Sequence, residues 1–333
     1  AGGARRATLQ AMRAALCVGQ AGRGRIGAAH QALREQLAEA GQQVTLQAAN
    51  SLWLDHSLSL LPEFEQLCAE RYAAQTARLD FSAPEAAQAI NDWVAGQTNQ
   101  RINRLVSAQD FIPPPVMALL NAVYFKGAWE KPFDPALTRP LDFQLPGGGS
   151  KPLPAMHRTG SYSYLSAPQA QLASLPYAGG QFSLEVALPA PGLTLEAFLS
   201  GLTPAAWERW MDELQQTRLE LALPRLRIEQ SSGLNQALGR LGMGIAFSGE
   251  ADFSDLSPEQ LMISQVRHKA VLEVNEEGSQ AAAATAVLMA RGALPNHARL
   301  TVDRSFFCAI RHRPSGALLF AAAVYDPDPS PSN

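Results

Sequence analysis

A long uncharged segment near the C-terminus constrains this chain more than any other feature. Between Glu277 and Arg291 no charged residue occurs, and most of the side chains are small or apolar. The segment separates two apolar runs, 270–274 and 306–310, whose composition is typical of strands. A connection of roughly thirty residues exceeds what compact domains ordinarily use, and such connections tend to be functional or disordered. Because proline, serine and charge are scarce before Pro295, we interpret the segment as a functional loop rather than as a disordered one.

The residues on both sides of this loop resemble a known protein family. The sequence HKAVLEVNEEGS at 268–279, followed by an alanine run and Thr285, is similar to the hinge of an inhibitory serpin. Three further segments resemble that family and occur in its order. They are NAVYFKGAWEKPF at 121–133, AFS and ADFS within 246–254, and DRSFF, LLF and YDP between 303 and 327. Together the four matches span most of the chain.

The resemblance implies an α+β fold. We expect a serpin-like single domain over residues 1–333, with a large central mixed sheet, flanking helices and an exposed reactive-centre loop at 277–300. Hydrophobic periodicity predicts helices at 8–16, 28–40, 62–72, 83–106, 194–214 (with a break near Pro204) and 234–241, with Thr8 and Thr203 as caps. The sequence also predicts strands at 43–54, 116–125 and 219–226, and the mostly apolar run at 116–125 is expected at the centre of a sheet.

The composition argues against several classes of partner. A formal net charge of −3 gives no basis for binding nucleic acid. No apolar run approaches the roughly 20 residues that span a bilayer, so no membrane partner is expected. The three cysteines, Cys17, Cys68 and Cys308, lie too far apart in sequence for a metal or disulfide pattern, and we expect all three to be buried.

The sequence predicts neither a catalytic site nor a cofactor. No GxSxG motif is present, and GRGRIG at 22–27 fits a dinucleotide pattern without the strand that should precede it. Metal-ligand spacing is absent from the histidines outside the hinge, which are His30, His56, His157, His297 and His312. The sparse arginines of the first 25 residues are better explained as a solvated face than as a polyanion site. We therefore expect a protein that is not an enzyme and that needs no metal.

The start of the chain leads to one further expectation. In the serpin family two helices and a short strand precede the segment that residues 1–16 resemble. We therefore expect the sequence to be trimmed at its N-terminus relative to the family. The sequence leaves the compartment open, and the resemblance alone favours an extracellular one.

The loop can be read as a strand that enters a sheet. In an extended chain Ser279, Ala281, Ala283, Thr285, Val287 and Met289 share one face, and none of these residues is charged. In the family, a protease that cleaves the loop stays attached as an acyl-enzyme while the loop inserts, and the displacement disrupts its catalytic site. About a dozen inserted residues at about 3.3 Å each would carry the protease roughly 40 Å. The resemblance thus implies a suicide-substrate inhibitor of a serine or cysteine protease. It places the hinge at Glu276, Glu277, Gly278, Ser279, Gln280, Ala281, Ala282, Ala283, Ala284 and Thr285.

The position of the cleaved bond is open within a few residues. Counting along the family's hinge places the acyl side at Gly292 and the leaving side at Ala293, which implies an elastase- or subtilisin-like target. Arg291 is the side chain that a trypsin-like pocket would hold through a charge-assisted bond, with Gly292 then on the leaving side. A bond after Met289 or Leu288 is a further alternative. We favour Arg291 and a trypsin-like protease as the partner of an expected monomer.

Four residues outside the loop match the family's switch positions. His268 and Asn121 match a pair that is hydrogen-bonded where the central strands part. Arg225 matches the partner of Glu276 at the place where insertion begins, and Trp129 matches the bulky residue beneath it. Core packing or an ordinary surface ion pair would also account for these residues.

Two other functions fit part of the sequence. A non-inhibitory serpin-like carrier or chaperone would keep the fold, although Ser279 and the alanine run argue against it. An inactive fragment would follow from the expected N-terminal trimming.

Overall fold

The computed structural model describes residues 2–39, 44–276 and 297–328. The chain forms two compact units that interleave along the sequence. The first unit comprises Ala1–Glu39, Leu46–Phe125 and Glu229–Val271, and the second comprises Ala40–Thr45, Lys126–Ile228 and Leu272–Asn333. Within the described residues, no helix is both long enough and apolar enough to cross a bilayer.

The described residues contain helices and strands in an order that fits an α+β fold. The helices are α1 Arg6–Ala15, α2 Arg23–Ala38, α3 Pro62–Tyr72, α4 Ala86–Gln97, α5 Leu195–Gly201, α6 Pro204–Glu213 and α7 Asn235–Leu238. The strands are β1 Val44–Asp55, β2 Ala74–Leu79, β3 Met117–Gly127, β4 Arg139–Gln144, β5 Ser150–Ser166, β6 Ala170–Pro176, β7 Phe182–Pro189, β8 Gln215–Pro224, β9 Leu226–Gly233, β10 Gln265–Val274, β11 Ala298–Thr301, β12 Phe306–His312 and β13 Leu318–Val324.

A five-stranded sheet with the order β2-β1-β3-β10-β9 forms the frame of the first unit, and β1, β3, β9 and β10 each have residues assigned to the second. Strand β1 pairs with β2 in parallel, with Asn50 opposite Ala74. Strand β3 lies at the centre of the sheet, and most of its residues are buried. The prediction of a central strand at 116–125 is therefore confirmed.

The alternation of side chains along β1 divides the first unit's core into two clusters. Trp53 packs in one cluster with Ile90 and Val94, which lie four residues apart on one face of α4. Leu52 and Leu54 point to the other face and pack with Met12 of α1 and with residues of 243–263.

The predicted helix at 83–106 is wrong in its second half, because α4 ends at Gln97. The side-chain oxygen of Asn91 accepts the backbone N–H groups of Leu105 and Val106, at 2.8 and 3.1 Å. The hydroxyl of Thr98 accepts the N–H of Ile102 at 3.1 Å. These side-chain bonds compete with helical ones and fold the chain back on α4. The apolar residues Ile102, Leu105 and Val106 are buried, as their spacing suggested, but they do not extend the helix.

Several smaller expectations also change. Helix α1 begins at Arg6, so Thr8 lies inside it, and its hydroxyl accepts the N–H of Asp252 at 2.9 Å instead of capping the helix. Thr203 caps α6 as predicted, accepting the N–H of Ala206 at 3.2 Å. Cys68 and Cys308 are buried, whereas Cys17 is exposed because it follows the end of α1 in a left-handed turn with φ 53°.

The second unit contains an eight-stranded sheet. Its order is β11-β8-β5-β6-β7-β12-β13, and β4 pairs with β5 beside this path. Helices α5 and α6 pack on one face of this sheet through Phe198 and Trp210, whose rings stack at 5.8 Å, and through Trp207 against Phe307.

Candidate functional site

A hydrogen-bonded pair of side chains bridges β3 and β10. The Nδ1 atom of His268 lies 2.6 Å from the Oδ1 atom of Asn121. The Nδ2 atom of Asn121 donates to Oδ1 of Asn50 at 2.6 Å, and Nδ2 of Asn50 approaches the carbonyl oxygen of Tyr72 at 3.5 Å. Because a carbonyl can only accept, the chain of bonds orients both amides, and His268 must donate from Nδ1.

The surroundings of His268 favour its neutral form. Burial lowers the pKa of His268 below its ordinary value of 6.5. The amide chain requires a proton on Nδ1, which the neutral imidazole supplies in its Nδ1–H tautomer. Among the described residues, no group of three or more histidine, cysteine, aspartate or glutamate side chains could hold a metal ion.

Two charged side chains of β10 form hydrogen bonds and ion pairs with other parts of the first unit. Lys269 is 8% exposed, donates to the carbonyl oxygen of Arg104 at 2.8 Å, and pairs with Glu229 at 2.7 Å. Arg267 forms an ion pair with Asp110. Neither contact was predicted from the sequence. The position of Lys269, immediately before the strand predicted at 270–274, could have indicated a buried lysine. A buried lysine is seldom found without a partner, so an ion pair could have been expected there.

In the second unit, a buried ion pair holds the residue at which the predicted hinge begins. The Nε atom of Arg225 lies 2.6 and 2.7 Å from the two carboxylate oxygens of Glu276. The side chains are 16% and 5% exposed, so this is not the surface ion pair that the alternative reading would require. Thr138, which the sequence did not indicate, donates its hydroxyl to the same carboxylate.

Trp129 and Phe133 hold the backbone on both sides of this ion pair. The indole Nε1 of Trp129 donates to the carbonyl oxygen of Asn275 at 2.7 Å. The backbone N–H of Phe133 donates to the carbonyl oxygen of Glu276 at 3.2 Å. Trp129 is 5% exposed and stacks on Tyr177 with ring centroids 4.5 Å apart. Trp129 thus packs in the core and also donates a hydrogen bond to the start of the hinge.

The structure brings the two predicted pairs of side chains into contact, and most of the other predicted site residues lie outside the described part of the chain. His268 contacts Asn121, and Arg225 contacts Glu276, while their roles in a conformational change stay predictions. The other hinge and reactive-bond residues lie outside the described residues; they are Glu277, Gly278, Ser279, Gln280, Ala281, Ala282, Ala283, Ala284, Thr285, Leu288, Met289, Arg291, Gly292 and Ala293. Residues 298–300 of the predicted loop belong to β11, which pairs with β8.

The sequence and the structure are both similar to those of known proteins. The sequence matches the family described as Serpin (serine protease inhibitor) over residues 1–327. It is 33% identical to Serpin B8 of Homo sapiens, over 98% of this chain and 88% of that protein. It is 34% identical to leukocyte elastase inhibitor A of Rattus norvegicus, over 89% and 82% of the two chains. The structure resembles that of a thermophilic serpin, tengpin, in its native state, with a TM-score of 0.89 and 27% identity over 98% of this chain and 84% of tengpin.

Proposed function

This chain belongs to the serpin (serine protease inhibitor) family, and on that premise we propose that it inhibits a serine protease as a suicide substrate. In the proposed mechanism the protease cleaves the reactive-centre loop, and the freed loop inserts between β3 and β10. One observation carries the proposal. Strands β3 and β10 are direct neighbours, and a side-chain hydrogen bond between His268 and Asn121 bridges them. In the proposal, β3 and β10 separate at this boundary and the loop enters between them as one more strand.

The first step is ordinary protease chemistry. The serine oxygen of the protease attacks the carbonyl carbon on the acyl side of the cleaved bond, an ester forms, and the peptide nitrogen leaves with a proton. Attack of water on this ester would release the protease. Inhibition therefore requires that insertion of the loop be faster than that hydrolysis.

Insertion has a favourable energy balance. An added strand of about ten residues gains about twenty ladder bonds on its two edges, while the ladder of about ten bonds between β3 and β10 is lost. At about 1 kcal/mol per bond, the net gain of about ten bonds is on the order of 10 kcal/mol. The bond between His268 and Asn121 must break, which costs about 0.5–1.5 kcal/mol. The ion pair of Arg225 with Glu276 must also open for the hinge to move. We therefore propose that the uninserted form is held by a kinetic barrier, and we assign this barrier chiefly to the ion pair.

The residues of the loop support a trypsin-like target. Arg291 is the charged side chain nearest the expected cleavage position, and a carboxylate in a specificity pocket would bind it strongly. Cleavage after Gly292 is the alternative, and it would suit an elastase-like enzyme that accepts small residues. The name of the rat relative, leukocyte elastase inhibitor A, supports this alternative target. We propose that the inhibitor acts as a single-domain monomer.

Incubation with trypsin and, separately, with elastase tests the proposal. We expect a complex that survives denaturing electrophoresis, together with a released C-terminal peptide. The mass of that peptide assigns the acyl side to Arg291 or to Gly292. Clean cleavage without a complex by either protease would contradict inhibition and favour a non-inhibitory serpin-like protein.

Two loop variants separate inhibition from mere cleavage. Thr285 lies on the face that would be buried on insertion, and Ala284 lies on the opposite face. Thr285→Arg is expected to be cleaved at an unchanged rate but to form little complex, because burying an unpaired charge opposes insertion. Ala284→Arg is the matched control and should still form the complex. Equal complex formation by both variants would contradict the insertion step.

A further inference from the structure

The second unit contains a cavity that the proposed inhibition does not use. Its volume is about 240 Å³, and it lies between the segment that follows β3 and the strands β5 and β6. A water molecule occupies about 30 Å³ in the liquid, so the cavity has the volume of roughly eight waters. Drug-sized ligands occupy pockets of about 300 Å³ or more. The cavity therefore suits a ligand built on a single ring.

Three cationic side chains line this cavity. They are Lys131, Arg158 and Arg313, with one acidic residue, Glu130, also in the lining. Arg158 donates to the carbonyl oxygen of Lys131 at 2.6 Å, and Arg313 donates to that of Gly180 at 3.3 Å. These neutral acceptors position the two guanidinium groups without cancelling their charge. In the described part of the chain, none of the three cations has a carboxylate within the ion-pair limit of 4.0 Å.

Polar and aromatic groups complete the lining. The hydroxyl of Ser161 donates to Oε1 of Gln216 at 2.9 Å, and Nε2 of Gln216 donates to the hydroxyl of Ser163 at 2.7 Å. The guanidinium of Arg158 lies over the ring of Tyr162, 5.6 Å from its centroid. Trp129 contributes a second aromatic surface. The combination of fixed cations, hydroxyl groups and flat rings is suited to an anion on an aromatic body.

We propose that this cavity binds a small aromatic anion, a single ring that carries carboxylate groups. The carboxylates would pair with Lys131 and Arg313, and the ring would pack beside Tyr162 and Trp129. Of these, Trp129 also holds the carbonyl of Asn275, so the ligand would lie directly behind the start of the hinge. The site goes beyond the proposed inhibition, and its test requires no protease.

Calorimetric titration of the full chain with isophthalate (benzene-1,3-dicarboxylate) tests the site. Isophthalamide, which has the same ring without the charges, is the matched ligand control. The variant Lys131→Gln/Arg313→Gln removes two exposed cations, while Arg209→Gln removes an exposed charge from α6 that does not line the cavity. Thermal melting of each variant checks that it is folded. A bound ligand should also raise the melting temperature of the unmodified protein.

The expected result is saturable binding of one isophthalate per chain and no binding of isophthalamide. The double variant should bind at least about tenfold more weakly, because each charged hydrogen bond contributes substantially. The Arg209→Gln variant should bind within about twofold of the unmodified protein, because its cation does not line the cavity. Absence of saturable isophthalate binding, or an equal loss in Arg209→Gln, would overturn the proposal. Inorganic phosphate that binds as tightly as isophthalate would overturn the aromatic part of the assignment.

Discussion

Replacing Arg225 by leucine should destabilise the protein far more than replacing both members of its ion pair. Arg225 and Glu276 are 16% and 5% exposed, and one guanidinium nitrogen contacts both carboxylate oxygens within 2.7 Å. Removing one partner leaves the other charge buried, which costs about 3–5 kcal/mol in comparable sites. Replacing both by leucine removes the uncompensated charge, and such replacements are often nearly neutral. We therefore expect a large cost for Arg225→Leu and for Glu276→Leu, and a much smaller one for the double variant.

Urea unfolding followed by tryptophan fluorescence measures this difference as a double-mutant cycle. The coupling free energy should be about 3 kcal/mol or more, because the single costs should far exceed the double. The same ion pair should also control how fast the hinge is released for insertion. If that free energy is lost from the barrier to insertion, Arg225→Leu should convert spontaneously to an inserted form about a hundredfold faster. Single costs below about 1 kcal/mol, as for a surface pair, would show that Arg225 and Glu276 do not form a buried, coupled ion pair, and so would costs that simply add.

Three further predictions concern titration and reactivity. Burial lowers the pKa of His268, so the unfolded chain binds its proton first and stability is lost as pH falls below the ordinary value of 6.5. Melting temperatures between pH 7 and pH 5 should therefore fall less for His268→Gln than for the unmodified protein, and parallel curves would contradict this. Burial raises the pKa of Glu185 above its ordinary value of 4.5. Stability is therefore lost as the pH rises from 4.5 through the pKa of Glu185 in the folded protein. Glu185→Gln should remove that loss, and a variant that keeps the same pH slope would show that Glu185 is not its source. Cys17 should react with a thiol reagent in the folded protein, whereas Cys68 and Cys308, whose pKa values burial raises to about 11 and about 12, should react only after unfolding. Rapid labelling of more than one thiol would contradict this assignment.

The sequence predicted those parts of the fold that depend on local patterns. Helix α3 runs from Pro62 to Tyr72 as expected, because proline suits the first turn of a helix and Ala73 ends it in a left-handed conformation. Strand β3 was predicted from its mostly apolar run, which is typical of a strand buried on both faces. These features are encoded within a dozen neighbouring residues.

The parts that the sequence did not predict depend on contacts between distant residues. Helix α4 stops early because Asn91 bonds to backbone groups fourteen and fifteen residues away, and helical spacing alone cannot reveal such bonds. The partners of Lys269, at Arg104 and Glu229, are equally distant in the chain. The pairs His268 with Asn121 and Arg225 with Glu276 were anticipated through family resemblance, since no local pattern brings them together.

A disulfide across β3 and β10 tests whether the loop inserts between these strands. Asn121 and His268 contact each other across the two strands, so Asn121→Cys/His268→Cys places one thiol on each side of the boundary. Loss of the two free thiols on oxidation verifies that the disulfide has formed. Cys17→Ser removes the exposed native thiol from this variant. Incubation with trypsin should give a denaturant-resistant complex from the reduced variant but only cleavage from the oxidised one, because the strands cannot part. As much complex from the oxidised protein as from the reduced one would contradict insertion between β3 and β10.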